Sequence, residues 1–184
     1  MVGWTFEVRS PIVAPGLAWY DAGRDGLLGS HQVGLWKETT GLSIPFFPRS
    51  SNLTMLASLT IASGTSAELV GSWRKVNFEA ALTLEPGLYE IAGTEQGSPR
   101  DSVVWASTFD VIPVLHDERI VLGGPAFHFT PNQLEPGNDF LTAYGPMMGP
   151  VLFIEQVPEP SAAVLAALGI GAVLFFRARR SRSP

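Results

Sequence analysis

What most restricts the fold of this chain is the placement of its glycines and prolines. There are 19 Gly and 15 Pro among 184 residues, and the runs between them are short. In Trp4-Thr5-Phe6-Glu7-Val8-Arg9 the apolar side chains take every second position, and Pro11 follows two residues later. A period of two puts Trp4, Phe6 and Val8 on one face of a strand, while a proline lacks the N–H that would continue a ladder. Comparable runs bounded by Gly, Pro, Asp or Asn occupy 16–20, 32–36, 55–62, 73–84, 88–93, 103–108, 120–122, 127–130 and 151–156. Many short strands with no sustained helical period predict an all-β fold, a single jelly-roll-like β-sandwich. In Leu84-Glu85-Pro86-Gly87-Leu88-Tyr89 the Pro-Gly pair suits the centre of a type II turn, which predicts a hairpin there. The Gly/Pro-rich passage 131–150 is long for a loop without structure, so a short strand is expected near 140–144.

The last 28 residues break this pattern. Val157-Pro158-Glu159-Pro160-Ser161 leads into a run, 162–176, without a charged or strongly polar side chain, and Arg177, Arg179, Arg180 and Arg182 follow. As a helix the run would be about 22 Å long at 1.5 Å per residue. The hydrocarbon core of a bilayer is about 30 Å thick, so a span needs Arg177 and Arg179 to snorkel or the bilayer to thin. Pro160 fits the first turn of such a helix, and the arginines assign the opposite end to the cytoplasm. The alternative is a buried helix of a soluble core, against which stand the terminal position, the lack of a polar stripe and the one-sided arginines. The predicted organisation is a domain over 1–156 and a tail over 157–184, with motif 157–161, a short hydrophobic transmembrane helix 162–176 and an Arg-rich end 177–184.

Charge separates the two parts further. The whole chain carries −5, but without the four terminal arginines and Glu159 the body has 8 basic and 16 acidic side chains, a net −8. Such a surface disfavours nucleic acid as a partner. The chain has no cysteine, which excludes disulfides, thiolate metal sites and a cysteine nucleophile.

The order Pro-Glu-Pro, apolar run, Arg-Ala-Arg-Arg resembles the PEP-CTERM sorting signal of Gram-negative bacteria. The resemblance implies an exported precursor held in the inner membrane and passed to an exosortase, a membrane-embedded processing enzyme, with Pro158, Glu159 and Pro160 as the recognition element. The prolines keep this segment extended and stop a helix from propagating backward, so its backbone stays accessible. The body, through "GWTFEVRSPI", "GLAWYDAGRDGLLGSHQVGLW", "LEPGLYEIAG" and "AYGP", is similar to exported β-sandwich domains that carry this tail; it departs from them at "KETTGLSIPFFPRSSN", where Phe46 and Phe47 either form an exposed contact patch or, the favoured reading, fold onto the core. The resemblance also implies delivery to the cell surface or the extracellular matrix and an association with exopolysaccharide. Export needs a leader, and "MVGWTFEVRSPI" shows neither a basic n-region nor an apolar h-region. The expectation is therefore a start upstream of Met1, or a sequence that is a fragment of a longer one.

One loop invites a metal. In "DAGRDGLLGSHQ", Asp21, Asp25 and Gly26 match positions one, five and six of an EF-hand loop, but Gly23 and Gln32 replace two of its oxygen ligands. Two readings fit: a weak Ca²⁺ site at Asp21 and Asp25, or a loop shaped by Asx-type turns with glycines at positive φ. His31, His116 and His128 are too scattered for a zinc pattern, and no Gly-x-Ser-x-Gly or phosphate-binding loop is present. With no catalytic residue to name, a non-enzymatic role is expected. The alternatives are a carbohydrate-binding module using some of Trp4, Trp19, Trp36, Trp73 and Trp105, and, behind it, a polysaccharide-degrading enzyme with two facing carboxylates.

Overall fold

In the computed structural model the described residues are 1–39, 53–94, 101, 104–105, 117–127, 134 and 147–155. They contain eleven strands and no helix: β1 Val2–Val8, β2 Ile12–Tyr20, β3 His31–Glu38, β4 Leu53–Ile61, β5 Glu68–Val70, β6 Trp73–Leu84, β7 Gly87–Gly93, β8 Val104–Trp105, β9 Ile120–Phe127, β10 Met147–Met148 and β11 Pro150–Phe153. Two antiparallel sheets, in the orders β4-β3-β7-β1-β9 and β11-β2-β6-β5, form a sandwich, and β8 and β10 make a separate pair. The all-β expectation is met. The predicted helix 162–176 lies outside the described residues, as do Phe46, Phe47 and the strand expected near 140–144; among the described residues no helix is long and apolar enough to cross a membrane.

The period-two runs became strands because each delivers alternate side chains to one core. Trp4, Phe6 and Val8 from β1, Leu17 and Trp19 from β2, Val33 and Leu35 from β3, Tyr89 and Ile91 from β7, and Val151 and Leu152 from β11 are all buried together. Trp4 meets Phe6 at 5.1 Å between ring centroids, and Phe6 stacks on Tyr89 at 5.4 Å. Each fully buried aromatic removes roughly 150–250 Å² from water, a gross gain of about 4–6 kcal/mol. Trp4 also has a polar tip, and its Nε1–H donates to the Pro150 carbonyl at 2.9 Å, joining the first strand to the last across the sandwich. The outer face of the larger sheet is covered too: Met1, Trp36 and Ala92 are buried there against Leu53 and Leu134, and Leu134 belongs to the long Gly/Pro-rich passage.

Two local expectations are corrected. β6 pairs with β2 and β5, whereas β7 pairs with β1 and β3, so Pro86-Gly87 carries the chain from one sheet to the other and is not a hairpin turn. The Tyr89 hydroxyl donates to the Glu85 carbonyl at 2.6 Å, a tyrosine corner that fixes such a crossing. The real two-residue hairpin is Gly71-Ser72 between β5 and β6, with Gly71 at φ 65° as a primed turn requires. β2 also runs farther back than its apolar run suggests, through Pro15. Ala14 faces Leu82 and Gly16 faces Asn77, so residues 78–81 of β6 bulge out opposite Pro15, where a ladder donor is missing.

The sandwich thus has two ends. At one lie residues 9–11 between β1 and β2, Glu85-Pro86, the turn entering β9, and Glu155. At the other lie the β2–β3 loop, residues 62–67, Gly71-Ser72 and the chain leaving β7.

Candidate functional site

The β2–β3 loop, 21–30, gathers most of the buried polar side chains of the second end. Asp21 closes β2 and is buried; its Oδ2 accepts from the Gly26 N–H at 3.1 Å and from the Arg74 Nε–H at 2.7 Å. Arg74 is also buried, at the start of β6, and its remaining donors reach the carbonyls of Thr65, Ala67 and Arg24 at 3.4, 3.2 and 3.2 Å. One guanidinium therefore ties together two loops and a strand, and its five fixed donors suit that task as an ammonium would not. The loop bends inside this frame with Arg24 at φ 58° and Gly26 at φ 116°. Leu27 exchanges both backbone hydrogen bonds with Gly64, at 3.1 and 2.7 Å.

A second pin holds the other half of the loop. The Asp101 carboxylate accepts from the N–H groups of Leu28 and Gly29 at 2.9 and 3.0 Å, and its Oδ2 lies 2.8 Å from His31 Nε2. His31 Nδ1 is 2.8 Å from the Thr94 carbonyl. A carbonyl only accepts, so Nδ1–H donates to it, and Nε2 faces the Asp101 carboxylate. The imidazole is fully buried and lies flat on the Trp19 indole, 3.8 Å between centroids with 8° between planes. Gly93 makes that stack possible: a Cβ there would come within 2.5 Å of Trp19 Cζ3.

This geometry decides where the sequence candidates stand. Asp21 is inside and engaged by Arg74, whereas Asp25 is exposed and its carboxylate folds back over Gly23. Gln32, the last position of the loop template, is exposed on β3. Among the described residues there is no group of three or more His, Asp or Glu side chains that could hold a metal ion. His31 is a core residue; His116 and His128 lie outside the described residues. Trp4, Trp19, Trp36 and Trp73 are at most 4% exposed, so none offers a flat face to a sugar, and the Trp105 side chain lies outside the description. Sequence reasoning missed Arg74 and Asp101 because their partners are 53 and 70 residues away. What the pinned loop does present is Leu28, 61% exposed between two N–H groups that Asp101 fixes.

At the opposite end, the last described residues lock onto the body. The Glu155 N–H donates to the Val13 carbonyl at 2.8 Å, and Arg119 Nη2 reaches the Glu155 carbonyl at 3.4 Å. Arg119 is itself held by Asp117 through hydrogen bonds of 2.8 and 2.6 Å. The Arg119 guanidinium keeps the Asp117 carboxyl below its ordinary value and is raised in turn by it.

An antiparallel β-sandwich locked to the chain as far as Glu155, followed by a proline-bounded motif, an apolar run and an arginine cluster, defines a two-part protein: a folded body and an address. Residues 156–181 match the PEP-CTERM protein-sorting motif. The chain therefore carries this sorting signal, which implies export and an exosortase as processing partner. Pro158, Glu159, Pro160 and the arginines fall within or beside that match and outside the described residues. No match was found among the curated proteins or the solved structures.

Proposed function

We propose that the chain is the precursor of a non-enzymatic cell-surface or extracellular-matrix protein, in which the β-sandwich is the working part and the tail is removed by an exosortase. The observation that carries this reading is the sorting motif beginning at residue 156, directly after Glu155, the last described residue, whose N–H is bonded to the Val13 carbonyl. A division there leaves all eleven described strands together. Pro158, Glu159 and Pro160 are the recognition element, 162–176 the transient anchor, and Arg177, Arg179, Arg180 and Arg182 the cytoplasmic stop.

A non-enzymatic body is supported by how its buried polar groups are used. His31, Asp101, Asp21 and Arg74 spend their hydrogen bonds on loop backbone and on each other. The carbohydrate-binding alternative loses its aromatic platform at four of five tryptophans, so exopolysaccharide is a neighbour in this proposal and not a stacked ligand. The test is fractionation of the native host with and without its exosortase, with mass spectrometry of the mature C-terminus. Release of a body ending near residue 157, only when the enzyme is present, is expected. An intact arginine tail in both strains means a plain membrane anchor and ends the proposal.

A further inference from the structure

We infer that the precursor stands on the inner membrane in one orientation. The end bearing Arg9, Pro86 and Asp117–Arg119 faces the bilayer, and the end bearing the pinned loop 21–30 faces away. This rests on the reading of 162–176 as a membrane anchor. What it adds is which surface of the body the membrane sees.

The argument is one of chain length. Glu155 is fastened to Val13 and to Arg119, so the body has no slack up to that residue. Only Gln156 and Val157 separate it from Pro158, and Ala162 opens the apolar run seven residues after Glu155. At no more than 3.3–3.6 Å per residue, Pro158 lies within about 11 Å of Glu155 and Ala162 within about 25 Å. The headgroup layer on one side occupies roughly 5–7 Å of that reach. β2 alone, with nine residues, is about 30 Å long. A leash shorter than the body attached at one end cannot turn the body over.

Topology supplies the rest. β11 runs antiparallel to β2, so Glu155 emerges beside the start of β2; there β1 ends, β6 ends, β7 begins and β9 begins. Arg9 donates its N–H to the Arg119 carbonyl at 2.8 Å, which joins the β1–β2 turn to the Glu155 clasp. Asp21, Asp101 and Arg74 sit at the far end of the same strands. Among the described residues this rim carries Glu38, Glu85, Asp117, Glu118 and Glu155 against Arg9, Lys37 and Arg119, a set with no net attraction for anionic lipid.

The chain has no cysteine, so a single introduced thiol reports one position. The full-length protein with Glu118→Cys or Ser63→Cys, both exposed sites at opposite ends, is labelled with a donor dye. It is reconstituted in phosphatidylethanolamine–phosphatidylglycerol vesicles containing headgroup acceptors. Because the ends are separated by a strand length, energy transfer from position 118 is expected to exceed that from position 63 by about twofold or more. A Gly-Ser spacer of about 20 residues after Gln156 should erase most of the difference. Vesicle association with equal transfer from the two sites, or more from position 63, overturns the orientation alone. Failure of the protein to float with the vesicles overturns the anchor reading and the orientation with it.

Discussion

His31 and Asp101, seventy residues apart in the chain, meet in the interior with Nε2 and Oδ2 at 2.8 Å. The same carboxylate holds the Leu28 and Gly29 N–H groups, so one side chain fixes both the imidazole and the loop above it. Asp101→Asn replaces one acceptor oxygen by an NH₂ that cannot accept, and leaves a buried donor facing another donor. The expected loss is about 2–4 kcal/mol, read as a lower urea midpoint.

Arg74 is the other anchor. Arg74→Met keeps the length of the side chain but strands the Asp21 carboxylate, which is 2% exposed, with only the Gly26 N–H. A loss of about 3–5 kcal/mol is expected from breaking the buried pair. Adding Asp21→Asn to Arg74→Met should recover part of it, because no uncompensated charge then remains. A double-mutant cycle by chemical denaturation measures that coupling.

Calcium at the same loop has to compete with a guanidinium 2.7 Å from the oxygen it needs. Thermal melting of the wild type in millimolar Ca²⁺ and in chelator should therefore agree to within about 1 °C, since ligand stabilisation requires binding to the folded state. A larger rise that disappears in Asp25→Ala would establish the cation site at Asp21 and Asp25.

Tyr89→Phe removes the hydroxyl that closes the crossing at Glu85. The expected cost is about 0.5–1.5 kcal/mol at neutral pH by urea denaturation. Burial pushes the Tyr89 hydroxyl above its ordinary value, with Lys37 opposing in part. The folded state thus holds this proton after the unfolded chain has released it. Stability is full below about pH 10 and falls as pH rises from there toward the folded value, and Tyr89→Phe should lose that part of the alkaline limb.

Asp117 titrates in the opposite sense. The Arg119 hydrogen bond lowers it in the folded state, so its contribution is present above the unfolded value of about 3.9 and is lost as pH falls through the lower folded value. For a half-buried pair this is worth about 1 kcal/mol. Asp117→Asn should flatten the acid limb of a stability profile below about pH 4 and leave the alkaline side unchanged.

The strands that could be read in the sequence are those whose large apolar side chains keep a period of two, as Trp4, Phe6 and Val8 do in β1, even where the opposite face is covered as well. β5 and β10 are too short to show a period, and β5 is built by the Gly71-Ser72 turn. Leu84-Glu85-Pro86-Gly87-Leu88-Tyr89 was legible as a turn but not as a crossing, because the choice between sheets depends on what Tyr89 reaches. That tyrosine, placed two residues after Pro-Gly, is the signal that could have told them apart. The loop template at 21–32 showed its carboxylates but not Arg74, which arrives from another strand and pairs with Asp21.

The bond from Trp4 to Pro150 spans 146 residues, and Gly16 pairs with Phe153. Strands so distant pair slowly, because a long loop has to close before any contact rewards it. At about 5–20 residues per second the ribosome delivers β11 roughly 7–30 s after β1. Until then the β2 edge that receives β11 is unmatched and the Trp4 indole has no carbonyl to meet. The two sheets are therefore stitched together only once β11 has followed β1 and β2.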